Sequence, residues 1–141
     1  TRNTEAFDAY AKGQALYASS TSRATDEMAL AAIDKAISLD PSYAAAHAAR
    51  ARTLGAIANQ EPSMARVSAL RSAALASARK AIDLAPDMPD AHIALGFLLM
   101  TQLELAAAQP AYERGFELGL GNAAGLSASA EYFGNMGDFA K

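Results

Sequence analysis

The chain contains no cysteine, no tryptophan and only two histidines in 141 residues. Without cysteine there can be no disulfide, no thiolate metal site and no thiol nucleophile. A domain of this length needs none of these, because it can bury roughly two-thirds of the surface its unfolded chain exposes. Long apolar runs are also missing: no stretch reaches the ~18 residues of a membrane span. The N-terminal Thr1-Arg2-Asn3-Thr4-Glu5 has no basic segment leading into an apolar one, so no signal peptide is legible. Membrane contact is not expected, and a cytoplasmic setting is. Charge of one sign is scarce as well. A net charge of −3 supplies no general reason to expect nucleic acid or an anionic membrane as partner. Glycine and proline clusters that would turn the strands of a sheet are absent.

What is present is a repeat. Lys35-Ala36-Ile37-Ser38-Leu39-Asp40-Pro41, leading to Ala46-His47, returns 45 residues later as Lys80-Ala81-Ile82-Asp83-Leu84-Ala85-Pro86, leading to Ala91-His92. A fainter copy follows 34 residues on, in Arg114-Gly115-Phe116-Glu117-Leu118-Gly119-Leu120. Each copy reads as the end of one helix, a short turn and the start of the next. Proline disfavours the helical conformation of the residue before it, so Asp40 and Ala85 mark boundaries. Gly119 and Gly121 supply the break in the third copy.

Between these stops, apolar and small residues recur three and four apart, the period of a helix. Alanine, the strongest helix former, occurs 37 times, and its small side chain lets helices approach closely. The fold class is all-α. Helices are predicted near 4–18, 24–39, 44–59, 62–84, 90–102, 105–118 and 123–136, about seven in all. Pro62 is predicted in the first turn of its helix, where a missing donor is harmless. Pro110 falls inside a helix and predicts a kink or a later start.

The stretch from Pro89 to Asn122 resembles the tetratricopeptide repeat. His92, Leu95-Gly96 and Leu99 match the first helix of that motif, and Ala108, Tyr112, Gly115 and Leu120 the second. The frame falls on His47, Arg50-Ala51, Leu54, Ala74, Ala78, Ala81 and Pro86 in the preceding repeat, and on Ala9, Lys12-Gly13, Leu16, Ala29, Ile33, Ala36 and Pro41 in the first. Leu126, Ala130, Phe133 and Gly137-Asp138-Phe139 resemble the opening of a fourth. The chain therefore divides into repeats of approximately 4–41, 42–86 and 87–122 and a partial one at 123–141, a single domain. It departs from the family in placing Lys12, Arg50 and Ser129 at a usual leucine position. The second repeat is longer than the 34-residue third by 11 residues. Stopping inside what reads as the opening of a helix, the chain is expected to be part of a longer protein.

The resemblance implies a superhelix of antiparallel hairpins whose first helices line a concave, partner-binding groove. Carried onto this chain, the groove positions are Phe7, Tyr10, Gln14 and Tyr17; Arg52; Ile93, Phe97 and Met100; and Glu131 and Asn135. Such a set suits a peptide with apolar anchors and one acidic group for Arg52. The family's carboxylate clamp is missing, since Tyr10, Gln14, Ala49, Asp90 and Ala94 stand at its places. The opening Glu5-Ala6-Phe7-Asp8-Ala9-Tyr10-Ala11-Lys12-Gly13 resembles tetratricopeptide regions attached to bacterial adenylate-cyclase-type or winged-helix transcriptional regulators.

Catalytic chemistry is not expected, nor is a cofactor, a metal or a small-molecule substrate. His47 and His92 repeat one motif position, and packing explains them better than metal binding, because neighbouring helices lie ~10 Å apart. No serine has a histidine neighbour suggesting a triad. Gly119-Leu120-Gly121 lacks the strand-to-helix setting of a phosphate loop. One asymmetry remains. Six of the twelve basic residues and only one acid, Glu61, lie between Arg50 and Lys80, whereas eight acids and two bases follow Lys80. No aromatic platform interleaves these bases, which speaks against nucleic acid. An acidic partner, or self-association through the lengthened second hairpin, is the alternative role.

Overall fold

The computed structural model describes residues 2–119. These form six helices: α1 (Arg2–Ala18), α2 (Arg23–Leu39), α3 (Ala44–Asn59), α4 (Met64–Leu84), α5 (Pro89–Thr101) and α6 (Leu105–Leu118). No strand occurs among the described residues. Each lies within two residues of its predicted span. The seventh predicted helix is outside the described residues. Pro62 is not in the first turn of α4 as expected: the helix begins at Met64, and Pro62 belongs to the preceding loop. α6 neither starts late nor breaks, but runs from Leu105 through Pro110. Both Pro110 and Ala106, whose carbonyl loses its helical donor, face solvent, where water can replace that bond.

Consecutive helices pack as antiparallel hairpins, α1 with α2, α3 with α4 and α5 with α6, and the hairpins are joined by α2 on α3 and α4 on α5. α3 also packs against α5, and α1 meets α3 narrowly, whereas α2 and α4 approach each other far less than α3 and α5 do. The odd helices thus form the closely spaced row of the stack and the even helices the looser one.

The repeat seen in the sequence is a repeat of hydrogen bonds. At the first proline turn Asp40 leaves the helix extended (φ −141°) and its amide reaches back to the Ala36 carbonyl at 2.9 Å; at the second, Ala85 (φ −146°) does the same to Ala81 at 2.9 Å. The amides of Tyr43 and Met88 then close onto the carbonyls of Asp40 and Ala85, both at 3.1 Å. His47 Nε2 lies 2.9 Å from the Pro41 carbonyl and His92 Nε2 2.7 Å from that of Pro86, so each imidazole donates to the turn that precedes its own helix. This is why histidine recurs there.

The core is mostly alanine, with Ile33, Leu54, Ile57, Ile93, Leu98, Leu99 and Tyr112 among its large members. Glycine lets the larger ones in. A Cβ on Gly96 would stand 2.8 Å from Tyr112 Cδ2, and one on Gly115 2.6 Å from Ile93 Cγ1. Arg50, at the family's leucine position, is not an unfilled core position. Its Nε donates to Asp34 of α2 and its Nη1 to the buried Ser77 of α4, both at 2.8 Å, stitching three helices together.

The extra length of the second hairpin is unequally shared. α3 has 16 residues against 13 in α5, and α4 has 21 against 14 in α6. At ~1.5 Å per residue the first turns of α4 rise beyond the turn between α5 and α6. On the other side the tip is tied to α2: Arg23 Nη1 lies 2.7 Å from Glu61 Oε2, and Gln60 Nε2 donates to Asp26 Oδ2 at 2.7 Å.

Candidate functional site

Phe7, Tyr10, Gln14 and Tyr17 stand three, four and three residues apart, which places them along one face of α1. Tyr10 is fixed from two directions. Its ring lies against Tyr43 with centroids 5.1 Å apart at 40°, and its hydroxyl accepts a hydrogen bond from Gln14 Nε2 at 3.0 Å. Phe7 extends the face into solvent.

Arg52 of α3 is within electrostatic reach of both tyrosines. Burial is the main influence on each phenol and raises its pKa; Arg52 opposes the rise in both. Nearby acids add to it, Asp90 of α5 at Tyr10 and Asp26 of α2 at Tyr17. One surface therefore holds two half-buried phenols around a guanidinium, with a carboxylate beyond each phenol. Arg52 has no carboxylate within ion-pair distance among the described residues, and its Nε is buried without a hydrogen-bond partner. A cation so placed has donor capacity that the described residues leave unused.

Beyond Tyr17 the surface opens into a cleft of about 500 Å³ lined by Tyr17, Ser20, Ser22, Asp26, Ala56 and Gln60. Asp26, only 5% exposed, forms its acidic wall. The narrow meeting of α1 with α3 leaves this space.

Of the expected groove residues of α5, Ile93 is buried while Phe97 and Met100 are partly exposed. Ile93 is not a groove residue: it is buried against Tyr112, in the space that Gly115 leaves open, and serves the packing of α5 on α6. Phe97 is half-buried; its Cε1 lies 3.3 Å from where a Cβ of Gly55 would be, which seats it on α3. Met100 is half-buried beside Ile93 and Tyr112. Glu131 and Asn135 lie outside the described residues. The structure thus brings together Tyr10, Gln14, Tyr17 and Arg52, with Phe7 alongside.

Asp26, Gln60 and Asp90 were absent from the sequence-derived set. Asp90 was within reach of pattern reasoning, since it precedes Ile93 by three residues and Phe97 by seven, a helical spacing. Asp26 and Gln60 were not, because they meet across 34 residues of chain. No group of three or more His, Asp or Glu side chains able to hold a metal ion occurs among the described residues, and no helix among them is long and apolar enough to cross a membrane. Comparison of the chain with protein-family models and with curated proteins finds no match in either.

Proposed function

We propose that this chain is a non-catalytic protein-interaction module of the tetratricopeptide type, and that the face formed by α1 and α3 holds an extended peptide segment. Arg52 carries the reading. A guanidinium with a buried, unpartnered Nε between two half-buried tyrosines is a preformed seat for a carboxylate, and the phenol rings offer apolar area with a polar edge. The peptide that fits has one acidic residue flanked by aromatic or aliphatic ones. In its parent the module serves as the sensor or scaffold arm of a bacterial regulatory protein, a context suggested by the family resemblance.

Fluorescence anisotropy with a labelled, capped peptide Leu-Phe-Glu-Phe-Leu and its Glu→Gln counterpart tests this. The acidic peptide is expected to bind at least tenfold more tightly, and Arg52→Gln to remove the preference while Tyr10→Ala weakens both peptides. Equal affinity for the two peptides, or a preference that survives Arg52→Gln, would overturn the proposal.

A further inference from the structure

A second opening lies at the far side of the lengthened hairpin, where the first turns of α4 stand over the turn between α5 and α6. It is a cleft of about 220 Å³ whose lining includes Met64, Val67, Arg71, Leu75 and Gln102. Two side-chain donors from different elements meet its walls, Arg71 Nε and Gln102 Nε2. Both atoms are shut off from solvent, and neither has a hydrogen-bond partner. Arg71 has no carboxylate within ion-pair distance among the described residues, although Glu104 is only two residues from Gln102.

A guanidinium can only donate, and it is charged at every accessible pH, so the complementary group is an anion with a free oxygen lone pair. The remaining lining is the aliphatic Met64, Val67 and Leu75 together with the hydroxyl-bearing Ser68 and Ser72. Val67 forms a buried wall, while Met64 is 76% exposed at the edge. Leu103, next to Gln102 in the chain, is 83% exposed and held at φ 62°, a conformation that glycine would adopt more readily. The tip thus combines two unpaired donors with exposed aliphatic surface. Its size suits one side chain rather than a folded domain.

We infer that this cleft is a second binding site, separate from the α1–α3 face, for a segment of another protein that carries a carboxylate side chain beside an aliphatic one. The site exists because of the extra turns of α4; a hairpin as short as the third would place neither Met64 nor Val67 there.

Nuclear magnetic resonance of the whole 141-residue chain tests it. The probes are acetyl-Leu-Glu-Leu-amide and acetyl-Leu-Gln-Leu-amide, and the signals are Arg71 Nε–H and the Gln102 side-chain amide. The Glu probe is expected to shift both signals saturably, with an affinity at least tenfold above that of the Gln probe. Arg71→Gln should abolish that difference, and Gln102→Leu should reduce it severalfold. Absence of shifts, equal shifts from the two probes, or a preference that survives both substitutions would overturn the inference. So would shifts confined to Arg52, which would credit the α1–α3 face alone. Signals that move with protein concentration and no probe would overturn it in favour of a second copy of this chain.

Discussion

Leu103 is the one non-glycine residue with positive φ among the described residues, and it sits in the open. It occupies the left-handed position of a helix-ending motif. Glu104 N–H reaches back to the Leu99 carbonyl at 2.9 Å and Leu103 N–H to that of Met100 at 3.0 Å. Leu103→Gly is expected to raise stability by about 1 kcal/mol, because the left-handed cost disappears while both backbone bonds remain. Chemical denaturation measures it, and a lowered midpoint would contradict the account. Gly96 behaves oppositely. Alanine in a helix usually gains ~1 kcal/mol over glycine. Here the new methyl meets the Tyr112 ring, which is buried and has no slack. Gly96→Ala should therefore cost about 1–3 kcal/mol, the usual penalty of overpacking. In a Tyr112→Ala background the same change should become neutral or stabilising. The sequence pattern put Gly96 and Tyr112 at motif positions on consecutive helices of one repeat, without pairing them. It could not show the conformation of Leu103, since leucine carries no turn signal of its own.

At the scale of the element, the two proline turns offer a matched pair. His47 and His92 make the same bond to the same part of equivalent turns. His47→Ala and His92→Ala should each cost about 1 kcal/mol, and the double substitution should be additive, because the two share no partner. A clear excess in the double variant would mean that the turns are coupled. Arg50 differs in that its partners are unequal. Asp34 is half-exposed and Ser77 is buried. Asp34→Ala is expected to change stability by less than ~1 kcal/mol, as exposed ion pairs do. Arg50→Ala should cost about 1–3 kcal/mol by leaving Ser77 without its partner. Helix ends were legible because prolines and the repeated segment punctuate the chain. Arg50 was legible only as a departure, since its reason lies in α2 and α4, 16 and 27 residues away.

For the whole molecule, two groups of side chains set opposite limits of pH. The backbone amide of Ser63 and then Arg23 hold Glu61 below the ordinary carboxylate pKa. Its contribution is present above that ordinary value and is lost as pH falls through the lowered one. Glu61→Gln should therefore be less stable than the parent near neutrality, with the difference narrowing in acid. Burial raises Tyr10 and Tyr17 above the ordinary phenol value of about 10. The folded state then keeps protons that the unfolded chain releases, so stability falls as pH climbs through that range. The Tyr10→Phe, Tyr17→Phe double variant should flatten this alkaline decline, as thermal unfolding across pH would reveal. Phe7, Tyr10, Gln14 and Tyr17 came from the family resemblance, and their helical spacing is what puts them on one face of α1. The misplacement of Ile93 was not legible, because groove and hairpin packing share the same period on α5.

The two rows of helices also differ in what they resist. Drawing the odd row apart would expose the α3–α5 contact, whereas fanning the even row would separate α2 from α4, which have much less packing to lose. The stack is consequently a leaf spring, stiffest against opening where α3 meets α5 and more compliant elsewhere. A ligand that bridges α1 and α3 would act where those helices meet narrowly, and its binding would be felt as a change in the angle between the first hairpin and the second.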